Sequence, residues 1–309
     1  MKGTRGAKGS VLITGAFSGI GKASALRLRA AGYRVFAGMY DETQKTEFEK
    51  EQGGLADLFP VVIDITSAES IAAALALVSD QTGDEGLAGL VNNAGIALAG
   101  PVEFLPLDTI RRQFEVNVIG HIAVTQAFTP LLRKAGGRIV NMGSVSSRVS
   151  TIFLSPYAMS KHALKAFNDS LRLELRPWGI KVILLEPGNV STSIWETAFK
   201  EVDRFVVGMP PAGQELYGGM IRTMMATMAR KSGNRMTADH IAGKVMKVLG
   251  APNPRPYYPI GKDRRLKVAL DRLLPASLHD RYIYHYLGLG EKAPGASPGK
   301  TGRDPSRRA

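Results

Sequence analysis

The sequence predicts an α/β protein in which helices cover a largely parallel sheet, and three observations carry that prediction. Short apolar, β-branched runs such as Ser10–Thr14 and Lys181–Leu185 lack polar alternation, which is the pattern of strands buried on both faces. Longer helical stretches separate these runs, so strand and helix alternate along the chain. The composition is aliphatic and rich in glycine, with 34 Gly among 309 residues, which suits one large domain better than two small ones.

The first strand, Ser10–Thr14, runs directly into Gly15-Ala-Phe-Ser-Gly19-Ile-Gly21 and then into a helix from Lys22 to Ala31, closed by Gly32. Strand, glycine turn and helix together form an anion cradle: small residues let backbone N–H groups and the helix N-terminus approach a pyrophosphate. A P-loop is the rival reading, but Ala16 replaces its first Gly and Ala23 its Ser/Thr, so a dinucleotide site is the better fit.

A second strand spans Arg34–Met39, after which a ribose-selecting residue is expected. Between Val35 and Gln44 there is no cation, and Asp41 and Glu42 are the acids, which leans toward NAD over NADP. The third strand is expected at Val61–Ile65, with Asp64 at its carboxyl end and Thr66 or Ser67 capping an alanine-rich helix through Ser79. The fourth, Leu87–Val91, leads into Asn92-Asn93-Ala94-Gly95, whose amides either brace the sheet edge or touch a ligand; bracing is the preferred reading.

Pro106 to Lys134 reads as one long helix with Asn117 in its interior, an unfavourable residue there unless its amide has a partner. His121, one turn on, reads as packing or interface. A fifth strand, Arg138–Met142, is followed by Ser144 and then by Tyr157 and Lys161, whose i,i+4 spacing puts a phenol and an ammonium on one helical face. A nearby cation favours an ionised phenol, so the trio suits proton transfer to an alcohol or carbonyl. Tyr258 and Lys262 share that spacing, but Pro259 and Gly261 deny them a helix.

The sixth strand ends in Glu186-Pro187-Gly188, a turn that redirects the chain over a crevice. Residues 193–236 hold Met209, Met220, Met224, Met225, Met228 and Met236 and read as a substrate cover whose thioethers face an apolar ligand, a Met-rich core helix being the alternative. A helix at Ala238–Leu249, a strand near Tyr257–Ile260 and a last helix over Arg264–Leu287, broken at Pro275, complete a domain spanning 10–290. Residues 1–9 and 291–309 read as basic, flexible ends.

The chain carries a net charge of +13, of which each end contributes three, while the rest is spread over helices without a nucleic-acid-reading motif. Nucleic acid is therefore not the expected partner. There is no Cys, which excludes disulfides, thiolate metal sites and a cysteine nucleophile and sits easily with a reducing cytoplasm. The five His are scattered without metal-ligand spacing, and no secretory or membrane-spanning segment is expected.

Taken in order, Thr14-Gly-x-x-x-Gly-Ile-Gly21, Asn92-Asn-Ala-Gly95, Asn117, Ser144, Tyr157-x-x-x-Lys161 and Pro187-Gly188 with Thr192 resemble the short-chain dehydrogenase/reductase family across roughly residues 9–262. The long C-terminal part looks like retinol and hydroxysteroid dehydrogenase-like members. The resemblance implies a single doubly wound Rossmann sheet of seven strands in the order 3-2-1-4-5-6-7. It implies an NAD(P)-dependent oxidoreductase interconverting an alcohol and a ketone or aldehyde on a bulky apolar, steroid-, retinoid- or lipid-like substrate. Carried over, Tyr157 is the acid/base, Ser144 bonds the reacting oxygen (Ser146 being the runner-up), Lys161 holds the ribose and lowers the Tyr157 pKa, and Asn117 holds a relay water. Gly15, Ser18, Gly19, Ile20 and Gly21 would cradle the cofactor, Asp64 and Ile65 flank its adenine, Asn92, Ala94 and Gly95 its ribose, and Pro187, Gly188, Val190 and Thr192 its carboxamide. Met39 and Tyr40 depart from the family's usual residues after the second strand. No metal is expected, a homo-oligomer (dimer or tetramer) is, and peripheral membrane contact through the Tyr282–Tyr286 helix is a minor alternative. The rival functions are a dinucleotide sensor without turnover and a 3-oxoacyl-type reductase.

Overall fold

The computed structural model describes residues 8–190, 193–230, 236–261 and 274–290. Seven parallel strands form one sheet in the order β3-β2-β1-β4-β5-β6-β7: β1 (Ser10–Ile13), β2 (Arg34–Met39), β3 (Leu58–Val62), β4 (Gly89–Asn92), β5 (Arg138–Met142), β6 (Lys181–Pro187) and β7 (Tyr257–Ile260). Every residue of β1 and β4 is buried, as the unbroken apolar runs of these central strands demand. Helices α1 (Gly19–Ala30), α2 (Glu42–Gln52), α3 (Ala68–Thr82), α4 (Leu107–Phe114), α5 (His121–Ala135), α6 (Ser155–Glu174), α7 (Ser193–Gly208), α8 (Pro211–Arg230), α9 (Ala238–Gly250) and α10 (Ala276–Leu287) complete the described chain.

The helices split between two faces and bury two cores. One gathers Val11, Ile13, Val35 and Val140 against α1 and α9, including Leu28, Ile241 and Val245. The other packs Leu12, Phe36, Leu90 and Ile139 against α3, α5 and α6, including Val78, Phe128 and Leu171. Alternate residues of each strand thus feed opposite layers. Helix starts follow side-chain capping: Asp41 accepts from Gln44 N, Ser67 from Ser70 N and Thr237 from His240 N.

Several boundaries differ from the sequence-based expectations. The third strand lies three residues earlier than expected, because Pro60 is tolerated inside an edge strand, so Asp64 sits in the following loop. Helix α1 begins at Gly19, within the glycine turn itself. Lys8 and Gly9, expected in the flexible N-terminus, join the fold: Lys8 N donates to Gly32 O, and Gly9 O accepts from Arg34 N. The expected single helix after Pro106 is α4 and α5 joined by a π-helical segment, Glu115–Gly120. The Met cluster also departs from expectation. Met209 and Met224 are buried, and Met220, Met225 and Met228 pack beside them with Leu287, Tyr286 and Ile283 of α10. The apolar side of α8 therefore has a protein partner, and its thioethers do not face the cavity described below. The termini 1–7 and 291–309, Thr192, Lys262 and the expected helix start at Arg264 lie outside the described residues; α10 begins directly after Pro275. Among the described residues no helix is long and apolar enough to cross a membrane, and no group of three or more His, Asp or Glu could hold a metal ion.

Candidate active site

At the carboxyl edge of the sheet lies a cavity of about 820 Å³. One end is the β1–α1 turn. Gly15 and Gly19 have φ of +64° and +54°, backbone open to glycine, and a Cβ on Gly21 would lie 2.1 Å from Gly15 O, so the turn closes only without side chains there. The first turn of α1 carries no acidic residue, leaving its N–H groups suited to an anion.

The turn is bolted to the loop after β4. Thr14 Oγ1 accepts from Asn93 N at 3.0 Å and from Ala94 N at 3.1 Å, while Asn93 Nδ2 donates to the carbonyls of Thr14 and Gly15 at 3.0 Å each. Asn92 faces the other way. Its Nδ2 donates to Thr125 Oγ1 and Asn141 Oδ1, both at 2.9 Å, and the residue is fully buried off the cavity wall. The adjacent amides thus divide the work: Asn92 braces the sheet, and Asn93 shapes the wall. Asp64 and Ile65 line the cavity, with Asp64 Oδ1 accepting from Thr66 N and Thr66 Oγ1.

Elsewhere on the wall Ser144, Tyr157 and Lys161 converge, all three buried. Ser144 caps the 3₁₀ turn Val145–Ser147 that follows β5, and its hydroxyl donates to the Tyr157 phenol oxygen. Helix α6 supplies the other two, with Lys161 Nζ 5.8 Å from the centre of the Tyr157 ring and donating to Met142 O at 2.9 Å. Ser146, the alternative serine, is off the cavity wall and donates its backbone N–H to Ser144 Oγ. Burial pushes the Tyr157 phenol up from 10.0, against the Ser144 hydrogen bond, and lowers Lys161 from 10.5 to about 8. The phenol is thus raised rather than lowered in the protein alone, and the group that opposes the rise is Ser144.

Asn117 lies in the π-helical segment, fully buried and off the cavity wall. Its Oδ1 accepts from Ile96 N at 2.9 Å, and its Nδ2 donates to Ile96 O at 2.9 Å and Ser160 Oγ at 3.1 Å. The amide joins the loop after β4 to α6. His121 adds a second tie: Nε2 donates to Ala94 O at 2.7 Å. Burial and the Lys161 charge, only partly offset by that bond, push His121 down to about 3, so the ring is neutral.

Gly15, Ser18, Gly19, Ile20, Ala94, Gly95, Pro187, Gly188 and Val190 line the same cavity, whereas Gly21 supports it from behind and Thr192 lies outside the described residues. The sequence left Phe17, Gln44 and the apolar run Ile96–Leu98 unassigned, all on the wall; of the two amides in the Asn92–Gly95 stretch expected near the ribose, Asn93 is the one that lines it. Asn93 was within reach, because the last residue of a strand and its successor point to opposite faces.

The short chain dehydrogenase family model matches residues 9–203. Human retinol dehydrogenase 16 is 36% identical over 285 residues, covering 89% of this chain and 87% of its own. The chain belongs to the short-chain dehydrogenase family. Bovine 17-beta-hydroxysteroid dehydrogenase type 6 is likewise 36% identical, covering 87% of this chain and 86% of its own, and places this family member with the retinol and hydroxysteroid dehydrogenase-like group. Among solved structures, a short-chain dehydrogenase from Streptomyces avermitilis shares the fold at a TM-score of 0.69 and 24% identity, covering 91% of this chain and 97% of that one. An actinorhodin polyketide ketoreductase with NADPH superposes at 0.67 and 26% identity, covering 84% and 97%. As a short-chain dehydrogenase, the protein is an oxidoreductase of CH–OH groups that uses a nicotinamide dinucleotide.

Proposed function

We propose that this short-chain dehydrogenase interconverts an alcohol and the corresponding ketone or aldehyde on a bulky apolar substrate with NAD. The observation that carries the reading is the buried Ser144–Tyr157–Lys161 cluster on the wall of a cavity also lined by Ile96, Ala97, Leu98, Met142 and Val190. Relatives named for retinol and 17-beta-hydroxysteroid substrates support the same class. A sensor without turnover would need the cradle but not this cluster.

The β1–α1 turn, the Asn93–Gly95 loop and Pro187–Gly188 would hold the dinucleotide, which would supply or accept the hydride. The protein's own groups handle the proton. In reduction, Tyr157, kept protonated by burial, donates to the forming alkoxide, and Ser144 hydrogen-bonds the same oxygen. In oxidation the phenolate takes the alcohol proton, and its ionised form is favoured by the Ser144 hydrogen bond and the nearby Lys161 charge. Lys161, anchored on Met142 O, retains further N–H donors for a ribose hydroxyl.

Support for NAD comes from the end of β2. Tyr40 and Gln44 form the wall, Gln44 Oε1 accepting from Tyr40 N, while Lys22 is paired with Glu51 and Lys45 with Glu42. Titration of both dinucleotides should favour NAD; a tenfold tighter NADP dissociation constant overturns this and points to Arg111 or Arg112, also on the wall.

The substrate class is tested with secondary alcohols of increasing hydrocarbon bulk. Each added buried CH₂ should lower KM several-fold, at ~0.8 kcal/mol each, until the cavity is filled. Higher kcat/KM for sugars or short hydroxy acids than for steroid- or retinoid-sized alcohols would sink the reading.

A further inference from the structure

Behind the catalytic cluster lies a buried ion pair that the mechanism above does not use. Arg148 terminates the 3₁₀ turn opened by Ser144 and reaches Glu186 at the end of β6, with Nε donating to Oε1 at 2.6 Å and a terminal guanidinium nitrogen to Oε2 at 3.3 Å. The Glu186 side chain is 0 % exposed and that of Arg148 16 %. Glu186 immediately precedes Pro187 and Gly188 on the cavity wall.

The contact extends to the helix that carries the phenol. The Arg148 guanidinium lies 5.0 Å from the centre of the Tyr257 ring, and the Tyr257 hydroxyl donates to Asp169 Oδ1. Lys165 pairs with Asp169 at 2.7 Å and lies 5.5 Å from the same ring. Tyr157, Lys161, Lys165 and Asp169 recur every fourth residue, so the stripe that begins with catalytic residues ends in this cluster. One polar assembly thereby joins the Ser144 turn, the Pro187–Gly188 turn, β7 and α6.

We propose that Arg148 and Glu186 are positioning residues that hold the Ser144 turn at a set distance from the Pro187–Gly188 turn, and so align the serine and phenol with the bound nicotinamide. A buried ion pair gains little stability over a well-packed apolar pair, so its directional, two-point geometry is what distinguishes it. The proposal rests on Ser144 and Tyr157 being the reacting pair. Small misplacements of such groups cost up to about a hundredfold in rate.

The test compares Arg148→Lys, Glu186→Gln and the paired Arg148→Met/Glu186→Leu replacement, which removes both charges and leaves none stranded in the interior. Steady-state turnover is measured with NAD and the best alcohol of the size series, and NADH binding by fluorescence titration and anisotropy decay. The proposal expects kcat to fall about 10–100-fold, the NADH dissociation constant to stay within threefold, and the bound nicotinamide to gain fast motion. It is overturned if folded variants keep kcat within threefold, if affinity falls in parallel with kcat, or if all three variants fail to fold, which makes the pair a structural tie. Tyr157→Phe in the same assay separates the two levels: if it retains activity the underlying reading has failed, whereas if it alone is inactive only the positioning proposal has.

Discussion

Asn117 grips Ile96 at both backbone groups, its Oδ1 accepting from Ile96 N and its Nδ2 donating to Ile96 O, each at 2.9 Å. The side chain acts as a strand partner for the loop, alongside Gln113, whose Nε2 donates to Ile96 O and whose Oε1 accepts from Leu98 N, and the π turn delivers the Asn117 amide to that position. Asn117→Asp keeps the acceptor but loses the donor to Ile96 O and Ser160. It should lower kcat/KM by roughly 10–100-fold, because the wall residues Ile96–Leu98 lose their register against α6. Steady-state kinetics decide this, and activity equal to wild type would show that the grip is dispensable.

His121 makes stability depend on acid. Its folded pKa is about 3, against 6.5 when unexposed surroundings are removed on unfolding. Above pH 6.5 the ring is neutral in both states and contributes no slope. Between pH 6.5 and 3 only the unfolded chain takes up the proton, so stability is lost as pH falls, at up to ~1.4 kcal/mol per pH unit. Denaturant unfolding of wild type and His121→Gln across pH 4–6.5 should show a shallower slope in the variant; equal slopes would mean that His121 is not buried neutral.

The proposed preference for NAD is tested at Tyr40, which follows β2, lines the cavity and is 59 % exposed. Tyr40→Arg places a cation where a 2′-phosphate would lie. A charge-assisted bond of ~1.5–3 kcal/mol should tighten NADP relative to NAD by roughly 10–100-fold. Calorimetric titration of both dinucleotides reads this directly, and an unchanged ratio would place the selecting group elsewhere.

Much of this site was legible in the chain because its parts are local. The Tyr157–Lys161 spacing, the glycines of the β1–α1 turn and the Pro187–Gly188 turn each sit within one turn or helix, where short-range rules hold. What escaped depends on distant partners. Nothing local separates a π turn at Glu115–Gly120 from a continuous helix, although Asn117 flagged a buried demand there. The Met residues of α8 resembled a ligand-facing stripe, and only their packing against α10, far along the chain, assigns them to a core. Pro60 fits inside β3 only because β3 is an edge strand, a position that the assembled sheet decides. Desolvation of Tyr157 is likewise a property of the assembled interior.

The central claim is that Tyr157 moves the proton, and removal of its phenol oxygen tests this most directly, with Tyr258→Phe as the matched control. Tyr258 lies on β7 away from the cavity wall, its oxygen accepting from Arg255 N at 3.0 Å. Tyr157→Phe should lower kcat/KM by ~10²–10⁴ with dinucleotide affinity retained, while Tyr258→Phe stays near wild type. Activity of Tyr157→Phe within threefold of wild type would contradict the account.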